Sequence, residues 1–182
     1  MKQTKREIGV VYESPYRMIL VDLIKDVKNN RYYAYERIIS VHKGGVVVIP
    51  IHGDNFILLN QFRHSMRDYQ YAFPRGFGES QISTEENAQK EVCEELGINN
   101  EDIHNITFLG TIIADSGLCG DPVSIFVCKI KDNTINISKG YEGIETYVEK
   151  TPTEFADMVK NKEITDGFTL AAYSLFCERT NR

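Results

Sequence analysis

Apolar and polar positions follow two rhythms along this chain. Runs rich in β-branched and aromatic residues, Val10–Tyr12, Met18–Leu23 and Tyr32–Ile39, predict strands over the first 40 residues. Asn29-Asn30 tolerates positive φ and predicts the turn between the last two. Val46-Val47-Val48-Ile49-Pro50-Ile51 is an unbroken apolar run typical of a central strand. His52-Gly53-Asp54-Asn55 reads as a turn that returns Phe56–Leu59 as the second arm of a hairpin. Ile106–Ile113 and Val123–Ile130 predict two more strands, and Ile144–Val148 a short one. Helical spacing covers Thr84–Leu96, Thr153–Lys160 and Gly167–Glu178, with Asp166 as the N-cap of the last. Strands and helices mixed without regular βαβ alternation imply an α+β arrangement, a mixed sheet flanked by helices.

A length of 182 residues suits one domain with an appended arm. We divide the chain into a β-rich arm, 1–40, and a main domain, 41–182. The arm carries Tyr12, Tyr16, Tyr32, Tyr33 and Tyr35. A small sheet so rich in tyrosine needs a cover, either its own domain or a second copy in a homodimer, since tyrosine offers large contact area at low entropy cost.

Charge and composition narrow the function. A net charge of −5, with 26 acidic against 21 basic residues and no basic stripe, argues against nucleic acid as the partner. No apolar stretch of signal-peptide or membrane-span length follows Met1–Arg6, so no membrane is expected and the expected location is cytoplasmic. The four cysteines, Cys93, Cys119, Cys128 and Cys177, lack CxxC spacing and are expected to be reduced thiols.

The densest chemistry lies in Gly76–Ile98, GFGESQISTEENAQKEVCEELGI. Ser83 with Glu86 three residues on has capping-box spacing, and Gly97 is placed to end the helix. Ala88, Val92 and Leu96 define its buried face. Glu91, Glu94 and Glu95 span an arc of about 100° beside that face. Such a trio fits a solvated acidic face. It equally fits a hard-cation site for Mg²⁺ or Mn²⁺, whose charge offsets the mutual repulsion. The upstream loop Pro74-Arg75-Gly76-Phe77-Gly78 strengthens the second reading, because glycine lets backbone approach a ligand.

This stretch resembles the Nudix box, G-x5-E-x7-R-E-U-x-E-E-x-G-U, with U bulky and apolar. Gly76, Glu91, Val92, Glu94, Glu95, Gly97 and Ile98 match it. Ile82 and Lys90 stand where the pattern has glutamate and arginine, the pair that braces loop to helix, and Glu79 is an acidic residue able to compensate. Gln61-Phe62-Arg63 with Phe73-Pro74-Arg75-Gly76, and the tail from Ile144, are similar to ADP-ribose pyrophosphatase-like members. In that subgroup a β-rich N-terminal arm builds a homodimer.

The resemblance implies a Nudix-type α/β/α sandwich and Mg²⁺-dependent hydrolysis of a diphosphate bond in ADP-ribose or a related nucleotide sugar. It implies metal ligands at Glu91, Glu94 and Glu95 and at the Arg75 carbonyl, with Glu91 and Glu95 also catalytic. It further implies a base on the loop before the last strand, where Glu142 matches better than Glu145 and Gly140 occupies the nearest equivalent position. Arg63 is a candidate to clamp a phosphate or stack on a base. Arg75, Gly76 and Ser116 are further substrate-binding candidates, the last in an Asp115-Ser116-Gly117 loop. Arg67 is a weaker one, and His64, next to Arg63, is a weak candidate for a base. A non-catalytic nucleotide-sugar sensor on the same scaffold is the alternative, motivated by Ile82 and Lys90.

Overall fold

The computed structural model describes residues 5–42, 44–131 and 135–180. Residues 1–4 of the arm, and 43, 132–134 and 181–182 of the main domain, lie outside the described residues. In chain order the elements are β1 (Lys5–Glu13), β2 (Arg17–Asp26), β3 (Arg31–Ser40), β4 (Gly45–His52), β5 (Asn55–Arg63), β6 (Asp68–Ala72), β7 (Arg75–Phe77), α1 (Thr84–Leu96), β8 (Ile103–Asp115), β9 (Cys119–Ile130), β10 (Ile144–Lys150), α2 (Pro152–Lys160) and α3 (Gly167–Thr180). All strands join one sheet of order β1-β2-β3-β9-β4-β5-β10, with β6 on β5, β7 on β4 and β8 on β9. It is a mixed sheet, since β4 runs parallel to β9 over Gly45–Ile51 against Val123–Lys129 while β5 and β10 are antiparallel.

The apolar runs explain the layering. Side chains alternate between the two faces of a strand, so an unbroken apolar run is stable only when both faces are covered. Val46 and Val48 join Ile57, Leu59, Phe126 and Cys128 under Ala88, Val92 and Leu96 of α1. Val47 and Ile49 join Phe56, Leu58 and Ile125 under Phe155 of α2 and Ala172 and Phe176 of α3. The result is the α/β/α sandwich expected from the sequence. On the second face, Phe56 meets Phe73, Phe155, Tyr173 and Phe176 edge-on, a geometry that aromatic quadrupoles favour.

Three helix signals act as the sequence predicts. Ser83 and Glu86 form both bonds of the capping box. Gly97 is left-handed at φ 63°, and a Cβ there would come within 1.9 Å of the Asn136 carbonyl oxygen, so only glycine fits. Asp166 caps α3, its Oδ2 accepting from the Thr169 amide at 2.9 Å and hydroxyl at 2.8 Å.

Two strands were not predicted. Asp68–Ala72 extends a hairpin from β5, pairing Asp68–Ala72 with Leu59–Arg63. The segment expected as a loop, Arg75–Phe77, pairs antiparallel with Gly45–Val47. Both are recruited by a neighbouring edge, a tertiary effect that local propensity does not carry.

The arm is a three-stranded antiparallel sheet whose last strand touches β9 at one register pair, Ile38 with Cys119. The Ile38 amide donates to the Leu118 carbonyl at 2.9 Å. The Tyr35 hydroxyl donates to the Gly117 carbonyl. All four cysteines are free. Among the described residues, no helix is long and apolar enough to cross a membrane.

Candidate active site

The site forms where β7 meets α1. Helix α1 lies across the sheet with one stripe in the core, so the residues flanking that stripe sit at the seam between helix and loop. Glu95 is buried there at 3% exposure, and its Oε2 accepts the Arg75 amide at 3.0 Å. Burial raises its carboxyl to about 8, helped by Glu91 and Glu142 and opposed by the Arg75 amide. Glu91, one turn earlier and half-buried, is raised to about 7 by burial and then by Glu94. Two carboxyls this far above their ordinary range mark a place where negative charge is held against its preference.

The strand β7 and the helix are in direct contact. A Cβ placed on Gly76 would lie 1.9 Å from Oε1 of Glu91, so a side chain there would expel the carboxylate. Phe77 follows, its carbonyl accepting from Asn87 Nδ2 at 2.8 Å. Gly78 donates its amide to the Gly44 carbonyl at 3.1 Å.

Of the predicted residues, Glu91, Glu95, Gly76, the Arg75 backbone, Arg63 and Glu142 come together. Glu142 lies in a short 3-10 turn, Tyr141–Gly143, and has φ 46°, a left-handed conformation that costs a non-glycine residue energy. Gln61 Nε2 holds its carbonyl at 2.9 Å. Its charge acts on Glu91, Glu95 and Arg63 alike. Arg63 is half-buried, its Nε is buried with no hydrogen-bond partner among the described residues, and burial followed by Arg75 lowers its pKa.

Other candidates are spent elsewhere. Glu94 is exposed and stands 3.6 Å from Lys90. Glu145 pairs with Lys139. The Arg75 guanidinium bonds Asp166 Oδ1 at 2.7 Å and lies 4.8 Å above the Phe168 ring, so it braces α3. Ser116 sits in the exposed β8–β9 turn, whose contacts are with the arm. His64 packs edge-on against Phe62, and Arg67 occupies the β5–β6 turn at φ 59°. No three His, Cys, Asp or Glu side chains among the described residues are gathered closely enough to hold a metal ion.

A cleft of about 430 Å³ opens onto Glu91 and Glu142 and is also lined by Tyr16, His42, Phe77 and Glu79. Sequence reasoning missed Tyr16, His42 and Phe77. Tyr16 and Phe77 stack at 6.0 Å between centroids, and Arg17 lies 5.6 Å above the Phe77 ring. Tyr16 was noted only as part of a tyrosine-rich arm, and nothing local indicates that the β1–β2 turn reaches the β7–α1 loop.

A mixed sheet between helix layers, with paired buried carboxylates beside a glycine strand, defines the class of fold and site. The sequence pattern of the NUDIX domain matches residues 41–149, more than half of the chain. The chain therefore belongs to the Nudix family and is a Nudix hydrolase; the match begins where the arm ends. No curated protein matches it. A solved crystal structure of an ADP compounds hydrolase is similar in fold, with TM-score 0.79 and 19% identity over 100% of this chain and 95% of the other.

Proposed function

We propose that this protein hydrolyses the diphosphate bond of a nucleoside diphosphate derivative, with ADP-ribose or a related nucleotide sugar as the substrate class. The observation carrying this reading is the half-buried carboxylate of Glu91, packed against Gly76 at a cleft that also contains Glu142, with the buried Glu95 one helical turn on and bonded to the Arg75 amide. Sequence features of the ADP-ribose pyrophosphatase-like subgroup support the substrate class, as does the fold shared with an ADP compounds hydrolase. The exposed Tyr16–Phe77 stack on the cleft rim offers a flat apolar surface suited to a nucleobase.

The residues present fit a divalent cation. The donors are all oxygen, as Mg²⁺ or Mn²⁺ requires, and Glu91 and Glu95, whose carboxyls are raised first of all by burial, lie where a cation's charge would offset the lost hydration. Glu91 and Glu95 would hold it, with the Arg75 carbonyl and water completing the set. The cation supplies charge neutralisation at the diphosphate and lowers the pKa of water.

The chain's own groups do the rest. Arg63, half-buried beside Glu95 and Glu142, binds a phosphate oxygen through its guanidinium. Water attacks one phosphorus, the bridging P–O bond breaks, and two phosphomonoesters leave. Glu142 takes the proton of the attacking water; Glu145 is occupied by Lys139.

A panel of nucleotide sugars with phosphomonoester readout, in Mg²⁺ and in Mn²⁺, tests this. Turnover of at least one diphosphate, lost in Glu95→Gln, is expected. Binding without turnover of any member would refute the hydrolytic reading.

A further inference from the structure

The loop between β7 and α1 joins the strand end that presses on Glu91 to the helix that carries Glu91, yet Ile82 and Lys90 interrupt the family's usual brace. We infer that Asn87 and the Lys90–Glu79 ion pair clamp this loop to the helix, and that Asn87, Lys90 and Glu79 are the positioning residues for the carboxylates. This rests on the proposed hydrolytic reading for its kinetic consequence only.

Asn87 carries the first half. It is 1% exposed, one turn into α1, where a buried amide is costly unless bonded. Its Nδ2 donates to the Phe77 carbonyl at 2.8 Å, while Oδ1 is buried with no partner among the described residues. The contact that accounts for a polar residue here is therefore the one to the loop, immediately after Gly76.

Lys90 carries the second half. Its Nζ contacts the Glu79 carboxylate, and Glu94 Oε1 lies 3.6 Å away. Ile82 is apolar and half-buried and offers Lys90 no charge, whereas Glu79, three residues earlier, does. The two departures from the family pattern thus occur together because one pair has replaced the other.

Helical spacing links the clamp to the chemistry. Asn87 and Lys90 are three apart and share a face. Glu91 lies one turn beyond Asn87, and Glu94 one turn beyond Lys90. Gly76 itself is held by its pairing with Val46, so release of the loop loosens the end of β7 beside Glu91 and gives the carboxylate room to move.

Hydrogen exchange on the full chain tests the clamp without relying on activity. An exposed ion pair adds little to global stability, so its loss should register as loop opening. In Asn87→Ala, amides of residues 77–82 should exchange about tenfold faster or more, and in Lys90→Ala and Glu79→Ala about twofold to fivefold faster, while β4 and β9 amides keep their protection. Lys90→Ala with Glu79→Ala should add nothing beyond either alone, and Lys90→Arg should restore protection. With a diphosphate substrate, kcat should fall about tenfold while KM stays within about twofold. Unchanged loop exchange in both Asn87→Ala and Lys90→Ala would overturn the inference. If Asn87→Ala loosens the core as well, the two surface variants decide. A wild-type protein that cleaves no diphosphate would sink the proposed function, and the exchange data would still judge the clamp.

Discussion

Gly76 and Glu91 are in contact so close that the glycine hydrogen occupies the space a methyl group would need: a Cβ at Gly76 would stand 1.9 Å from Glu91 Oε1. The strand residue therefore sets the position of the helix carboxylate. Gly76→Ala should force one of them away. Because Glu91 is partly exposed, the side chain can yield without collapse of the core. We expect activity to fall about a hundredfold or more, with a modest drop in Tm. Steady-state kinetics and a thermal melt check this. An alanine variant of wild-type activity would show that the Glu91 position is immaterial.

Glu95 makes stability depend on pH in a definite direction. Its carboxyl is raised to about 8 in the fold, whereas in the unfolded chain it ionises near 4.3, the ordinary value for glutamate, roughly. The groups facing it are the Arg75 amide, Glu91, Glu142 and Arg63. Between these two pKa values the unfolded chain has released the proton and the folded chain still holds it. The stabilisation is therefore complete below the lower value and is lost as pH rises to about 8. Melting in chelator should show Tm falling over that window. Glu95→Gln should flatten most of the slope, with Glu91, raised to about 7, supplying the remainder. A slope of the opposite sign would contradict this assignment.

Cation binding should reverse that loss. If Glu91 and Glu95 are ligands, millimolar Mg²⁺ or Mn²⁺ at pH 8 should raise Tm of the wild-type protein and leave Glu95→Gln unmoved. Binding to the folded state alone stabilises by about 2.7 kcal/mol at a hundredfold excess over Kd. Chelator should abolish turnover, and added Mg²⁺ should restore it. Calorimetry showing no divalent binding to the wild-type chain would remove both glutamates from a metal site.

Much of the fold could be read from the chain because its signals are local. The Val46–Ile51 run, the Ser83–Glu86 capping box, Gly97 and Asp166 each act within a few residues. The carboxylate pair was readable for the same reason, since one helix carries it. What remained hidden depends on distant segments meeting. Arg75–Phe77 is a strand only because β4 has a free flank there. That Glu94 is exposed and stands 3.6 Å from Lys90 is likewise set by the packing of the helix. Tyr16 reaches the cleft only through the arm, about sixty residues from Phe77 in sequence; tertiary contacts of this kind override local propensity. The Glu142 and Glu145 alternatives separate in space through Lys139, which no spacing rule foretells.

Arg63 should govern substrate affinity more than stability. Its guanidinium is half-buried, carries a partnerless Nε, and lies near Glu95 and Glu142. Arg63→Ala removes a guanidinium whose buried Nε has no hydrogen-bond partner among the described residues, so Tm should change little. KM for a diphosphate substrate should rise about tenfold or more, the scale of a lost charge-assisted bond to phosphate. Arg63→Lys should recover only part, because an ammonium does not reproduce the planar fork. An unchanged KM in Arg63→Ala would exclude it from the substrate site.

The arm should assemble two chains. It exposes tyrosine on both faces, Tyr32 on one and Tyr33 and Tyr35 on the other, by the alternation of β3. Val11 and Tyr12 on the outermost strand are also exposed, at 67% and 56%. A thin antiparallel sheet bare on both sides is marginal alone and gains from a cover. A second copy of the arm is self-complementary by symmetry, as an isologous contact must be. Light scattering at micromolar concentration should give twice the 20.8 kDa mass of one chain. Tyr33→Glu should shift the mass to that of one chain and, since Tyr16 of the same arm lines the cleft, lower activity as well. A single-chain mass for the wild-type protein, with full activity, would show that the arm serves its own domain only.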